Sequence, residues 1–252
     1  MLIINADDWG GNRTATDNSI LCFTNARLTG ASAMVFMKDS QRAADLALEH
    51  GLECGLHLNF TQPFNGTVLS TRLAGCQQRI AAFLRRSTWS RLLYNPLLKR
   101  DFDYVYRAQY DEYLRLYNTP PTHIDGHHHM HLCTNMLVDG LIPLRSSVRR
   151  SFSFFAHEKN VLNRLYRRLV DAVLLRRYTC TDFFFSVSVE PQAWRLKSIV
   201  GLAQSRNVEL MVHPARPDDL RFLMSDTYFR LISTVETGSY ASLRQARVPG
   251  ES

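Results

Sequence analysis

The chain is predicted to be an α/β protein, a closed or nearly closed (β/α) TIM-like barrel with about seven parallel strands. Three observations lead there. Short β-like runs alternate with longer helical ones, which argues for a parallel sheet with helices outside it. A length of 252 residues suits one undivided α/β domain. Residues able to do chemistry recur where the strands end, as they do around the C-terminal face of such a barrel. A doubly wound open sheet is the alternative. No repeat, low-complexity segment or linker divides residues 1–252, so they are expected to form one domain.

Leu2–Asn5 is a compact apolar strand and Thr16–Ala26 a helix. Ala31–Phe36 is the second strand. Ser40–His50 is a helix with a serine N-cap and Gly51 beyond its end. Cys54–Phe60 is the third strand. Residues 71–118 are mainly helical, interrupted near Pro96, and Pro120-Pro121 resets the chain. Further strands are expected at Thr122–Gly126, Arg145–Arg149, Phe183–Val189 and Val208–Val212, with helices at Asn160–Arg177 and Gln192–Ser205.

Hydrophobic residues make up 45% of the chain, enough for a core, yet no apolar run reaches the roughly 18–20 residues of a membrane span. The start Met1-Leu2-Ile3-Ile4-Asn5 lacks the basic region of a secretory signal. Five scattered cysteines without a CxxC pair point to reduced thiols, hence a cytoplasmic protein, and exclude a cysteine-based zinc site. The net charge of +7 is concentrated: Leu144–Arg177 carries nine Lys/Arg against Glu158 and Asp171.

The chemistry-bearing residues sit at strand ends. Asp7 and Asp8 follow the first strand as an adjacent carboxylate pair, so one can bind a metal while the other handles a proton. In His123–His131 (HIDGHHHMH), five of the nine histidines fall within nine residues, a density beyond what packing needs and suited to metal binding or catalysis. If that segment is extended, positions 123, 125, 127, 129 and 131 share one face and His128 opposes them. His57 alternates with apolar neighbours in its strand. His213 stands where the last strand meets Pro214, which holds it extended. Asp125 and Arg149 end the strands between.

These motifs, NADDWG (Asn5–Gly10), GLHLNF-T (Gly55–Thr61), THIDGHHHMH (Thr122–His131) and ELMVHPA (Glu209–Ala215), resemble the YdjC-like (ChbG/HpnK) carbohydrate deacetylases in order and separation. The resemblance implies a deformed barrel that removes an N-acetyl group from an oligosaccharide or lipid-linked sugar, often as a homodimer. It implies one divalent metal on Asp8, His57 and His127, Asp7 as catalytic base and His213 as acid. Asp125, His129 and Arg149 are expected at the substrate. Family resemblance implies Mg²⁺, whereas one carboxylate and two imidazoles favour Zn²⁺ or a similar ion, because Mg²⁺ prefers oxygen ligands. The sequence departs from the pattern at Trp9, in Tyr228–Ile232, which lacks an Arg-Glu pair, and around Asp182–Phe185, which lacks a glycine. A metal-dependent phosphoesterase and a non-catalytic metal- or sugar-binding protein are the competing functions.

Helix Asn160–Arg177 carries an apolar stripe, Val161/Leu162, Leu165/Tyr166, Leu169/Val170 and Val173/Leu174, with Arg164, Arg167, Arg168, Arg176 and Arg177 mostly off it. The stripe is expected to pack on the sheet. The sharper alternative is a basic surface that approaches an anionic membrane from the cytoplasmic side. No nucleic acid is expected as a partner.

Overall fold

Apolar Leu2, Ile3 and Ile4 open the central strand of a parallel sheet. A computed structural model describes residues 1–66, 69–87, 89–155, 158–187 and 193–246. Its strands are β1 (Leu2–Trp9), β2 (Gly30–Ala33), β3 (Cys54–Leu58), β4 (Ile124–Gly126), β5 (Phe183–Ser186), β6 (Val208–Val212) and β7 (Thr237–Gly238). They run side by side in the order β4-β3-β2-β1-β6-β5, and β7 pairs with the start of β1. Every ladder is parallel.

The expected strand at Arg145–Arg149 is reduced to two single bridges, Ile124 with Val148 and Ser147 with Thr179. Arg145 has a left-handed backbone (φ 65°), so the extended run begins only after it. Those bridges span the gap between β4 and the chain leading into β5. The result is a half-barrel of parallel strands whose remaining side is stitched together rather than laddered, which is the deformed barrel that the resemblance implies. The distal ends of two expected elements, 188–189 of the fifth-strand run and 192 of the following helix, lie outside the described residues.

The helices are α1 (Arg13–Thr24), α2 (Ser40–His50), α3 (Thr71–Arg85), α4 (Lys99–Tyr117), α5 (Thr134–Asp139), α6 (Val161–Leu175), α7 (Ala193–Ala203), α8 (Pro217–Leu223), α9 (Asp226–Ile232) and α10 (Tyr240–Ala246). Helix α1 starts earlier than expected because Asn12 caps it, accepting from the Ala15 N–H at 3.0 Å. Ser40 is not the cap of α2; its hydroxyl donates to the Met34 carbonyl and accepts from the Met37 N–H. Gly51 does end that helix, in the left-handed conformation (φ 67°).

Side chains alternate across the strands. Ile4, Ala6, Ala31, Ala33, Leu56, Leu58, Leu210 and Val212 join the main core. The other face of the same strands bears Asn5, Asp7, Ser32, His57, Asp125 and Glu209, all buried. At the strands' N-terminal end Ile3 packs with Tyr240 and Leu243 in a small separate cluster. The five cysteines are buried, and no disulfide joins them.

Helix α6 overturns the expected packing of its stripe. Only Val170, Asp171 and Leu174 are buried, and Asp171 is held by Arg150 at 2.6 Å and by the Ser151 hydroxyl at 2.8 Å. The remaining apolar residues of the stripe face outward. No helix among the described residues is long and apolar enough to cross a membrane.

Candidate active site

Adjacent residues in a flat strand point to opposite faces, so Asp7 and Asp8 should diverge. They do not, because β1 carries one extra residue relative to β2: Ala6 pairs with Ala31 and Trp9 with Ala33. The bulge puts Asp8 in the left-handed region (φ 64°). Both carboxylates therefore approach one imidazole: Asp8 Oδ1 is 3.4 Å and Asp7 Oδ2 4.0 Å from His57 Nε2.

Register supplies the rest. His57 on β3 is paired with Asp125 on β4, and its Nδ1–H donates to Asp125 Oδ1 at 2.8 Å. That bond leaves Nε2 facing Asp8. The chain departs from the extended path after Gly126: His127–Leu132 form a tight turn with His128 (φ 54°) and His129 (φ 59°) left-handed. The histidines consequently do not share one face. His127 swings back, with Nδ1 2.8 Å from Asp8 Oδ1, while exposed His128 lies 3.0 Å from the Thr61 hydroxyl. Asp8, His57 and His127 thus offer three ligand atoms within 4.8 Å of one another.

Beneath them lies a buried ionic network. Arg149, fully buried, donates to both oxygens of Asp7 at 2.8 and 2.7 Å and to Glu209 at 2.8 Å, and its guanidinium also meets Asp125. Ser32 donates to Asp125 at 2.7 Å and accepts from Asn5, whose amide also reaches Asp7. Tyr240 donates to Glu209 and stacks on His123 with ring centroids 4.0 Å apart. Gly55 is required for that arrangement: a Cβ there would come within 2.3 Å of the His123 ring. Three carboxylates, Asp7, Asp125 and Glu209, thus meet one guanidinium, and a fourth, Asp8, lies across His57 from them, an acidic surplus that favours a cation.

Titration behaviour follows from this field. Burial raises the Asp8 pKa, but hydrogen bonds from His127 and His57 more than reverse it and leave the carboxyl well below the usual range. Burial also disfavours charge on His57, yet Asp125 and Asp7 outweigh it and hold this imidazole well above its ordinary value. Burial pushes His123 down to about 3 and His131 to about 4. Glu209 is raised by burial against the pull of Arg149.

His213 follows β6, whose Val212 pairs with Ala6, so it emerges beside Asp7. Burial lowers its pKa, and Asp7 and Asp8 act in the opposite sense. Its N–H donates to Asp219 Oδ2, while its Nδ1 and Asp219 Oδ1 are both buried without partners.

Asp125 and Arg149, expected at the substrate, are both 0% exposed in this ligand-free chain, with polar groups hydrogen-bonded to His57, Asp7, Ser32 and Glu209. His129 is half-buried against Phe152 and lines a cavity of about 120 Å³ with Arg91, Tyr166 and Arg167. It stays available to a ligand. Sequence reasoning gave no role to Asn5, Ser32, Glu209 or Tyr240. Glu209 carried a signal, an acid in an apolar strand on the same face as His213.

The donor set fits a divalent ion. Asp8 is partly exposed and is paired with imidazoles rather than with Lys or Arg, and Asp125 fixes the tautomer of His57 as carboxylates do behind metal-bound histidines. The other acidic group, Asp7–His57–Asp125, is already bridged by the Arg149 guanidinium.

The same architecture occurs in solved structures. A protein assigned to cellobiose-phosphate cleavage from Enterococcus faecalis superposes with a TM-score of 0.70 at 18% identity, covering 96% of this chain and 98% of that one. The Xyl-CE4 domain of a xylanase from the hindgut metagenome of Trinervitermes trinervoides superposes with a TM-score of 0.52 at 7% identity, covering 99% and 91%. In sequence, the chain is 28% identical to the chitooligosaccharide deacetylase of Proteus mirabilis over 98% of its own length and 93% of the relative's. The model of the YdjC-like protein family matches residues 1–246, and the chain therefore belongs to that family.

Proposed function

We propose that this protein is a metal-dependent carbohydrate N-deacetylase, which hydrolyses the amide of an N-acetylated sugar to acetate and a free amine. The observation that carries the reading is the convergence of Asp8, His57 and His127 from three strand ends, beside a separate carboxylate, Asp7. Family membership and the naming of the Proteus relative support the same substrate class.

Asp8, His57 and His127 would hold one divalent cation, and their chemistry favours Zn²⁺ or a similar transition ion over Mg²⁺. Such an ion, when bound, acidifies water and polarises a carbonyl oxygen. Asp7 takes the proton of the attacking water on a carboxylate whose orientation Arg149 fixes through two hydrogen bonds. His213 delivers a proton to the departing nitrogen, and burial, which lowers its pKa, makes its protonated form a readier donor than an ordinary imidazolium. His129 would meet the sugar through the cavity that it lines with Arg91, Tyr166 and Arg167.

Phosphoesterase chemistry of this type usually gathers two or three ions. Arg149 disfavours it, because a second cation on Asp7 and Asp125 would meet a fixed positive charge. A purely binding role leaves unexplained why a carboxylate that does not join Asp8, His57 and His127 is held 4.0 Å from the His57 Nε2.

Metal analysis together with acetate release from chitooligosaccharides and N-acetylated monosaccharides tests the reading. Asp7→Asn should keep one ion per chain and lose about 10²–10⁴-fold in turnover, whereas His127→Ala should lose both ion and turnover. Undiminished turnover in Asp7→Asn would remove its role. Metal-loaded protein that releases no acetate from any such sugar would sink the proposal.

A further inference from the structure

Helix α6 is amphipathic with its apolar side turned outward. At 100° per residue, Val161, Leu165, Leu169, Leu162 and Val173 fall on one continuous face. That face is the solvent side: Val161 and Leu162 are each 77% exposed, Leu169 61% and Leu165 51%. A stripe this wide normally packs on a core. Here the core takes the opposite face, through Val170 and Leu174.

Basic residues border the stripe. Arg164 and Arg168 lie along one edge, and Arg176 and Arg177 follow the helix end. Among the described residues, none of Arg91, Arg164, Arg168 and Arg176 is paired with a carboxylate. A second segment with exposed apolar side chains reaches α6 through one arginine. Arg91 shares a cavity with Tyr166 and Arg167, and its own segment carries Trp89, 70% exposed, and Leu97, 88% exposed. Isolated exposed apolar side chains are ordinary, but a contiguous patch marks a contact surface.

The charge pattern selects the occupant. A second copy meeting this face across a two-fold axis would set the arginines against themselves. An anionic bilayer offers acyl chains to the stripe and phosphates to its basic border. We propose that α6 lies in the interface of an anionic lipid bilayer, with Val161, Leu162, Leu165, Leu169 and Val173 inserted and Arg164, Arg168 and Arg176 on lipid phosphates. The cavity between α6 and His129 then opens at the membrane surface. The proposal does not depend on the reaction assigned to the metal-binding residues.

Co-sedimentation tests it, using the purified full chain with vesicles of phosphatidylcholine alone and with phosphatidylglycerol added. Wild type should sediment with the anionic vesicles and dissociate as salt is raised. The double variant L165E/L169E alters only exposed positions and should bind more than about tenfold more weakly. R164E/R168E should lose the preference for anionic lipid, because each basic residue near such a surface contributes roughly fivefold. Matching thermal unfolding shows that both variants fold. Wild type that ignores anionic vesicles would overturn the proposal, as would undiminished binding by L165E/L169E. A wild-type dimer in light scattering that L165E/L169E dissolves would assign the face to a second copy instead.

Discussion

Inside the strands, Arg149 lies at 0% exposure among Asp7, Asp125 and Glu209, whereas on α6 Val161 and Leu162 stand 77% exposed. The two regions reverse the usual partition of residues in opposite senses. Elsewhere the molecule obeys it: the outward faces of β1, β2, β3 and β6 join one apolar core. The interior reversal costs desolvation of several charges and persists because each is paired. The exterior reversal leaves apolar area in water and persists without any partner among the described residues. One therefore reads as machinery satisfied within the chain and the other as a surface completed from outside.

The interior is the more fragile of the two. Arg149→Met removes the one guanidinium that neutralises Asp7, Asp125 and Glu209. Breaking a buried ionic network from one side typically costs about 3–5 kcal/mol, and urea unfolding should show a loss of that order. A loss below about 1 kcal/mol would mean that the carboxylates take up protons instead and that the network tolerates neutralisation.

A smaller effect follows from the buried histidines. His123 and His131 have folded-state pKa values of about 3 and 4, below the ordinary 6.5. The unfolded chain therefore binds protons that the folded chain refuses, and stability must fall as pH drops below 6.5. His57 works in the opposite direction because its folded pKa is raised. Its contribution is complete below 6.5 and is lost only as pH rises, so from 6.5 to 5 the decline comes from the histidines that burial holds down, His128, His129 and His213 with the buried pair, and a single variant isolates one share. There His131→Asn should flatten the decline by roughly 1.4 kcal/mol per pH unit. Denaturant titrations of metal-free protein at several pH values check this, and parallel slopes for variant and wild type would show that His131 is not held neutral.

Much of the interior was legible in the residues. Asp7-Asp8 after an apolar strand and five histidines in nine residues announced the site, because side chains of that chemistry have no packing reason to gather there. What escaped is set by backbone geometry and by distance along the chain. Nothing in the residue types of Asp8, His128 and His129 dictates a left-handed φ, so the extended face assigned to the histidines gave way to a turn. Arg149 was expected at the substrate, and its burial was not legible because its partners Asp7 and Glu209 lie 142 and 60 residues away. For α6, periodicity gave the stripe correctly but could not say which way it faces, since either solvent or sheet satisfies the same 3.6-residue pattern.

The orientation of that stripe can be checked without any membrane. If Leu169 projects into solvent, Leu169→Ala should leave stability within about 0.5 kcal/mol of wild type. Leu174, five residues on, on the core side of the same helix and 1% exposed, serves as the internal reference, since truncating a buried leucine costs about 2–5 kcal/mol. Equal losses at the two positions would mean that both faces are covered within the chain, and the contrast between interior and exterior would collapse to an ordinary buried helix. A near-neutral Leu169→Ala beside a costly Leu174→Ala leaves the outward leucines unexplained by folding, since the fold then gains nothing from them. Their retention would have to be accounted for by what they touch.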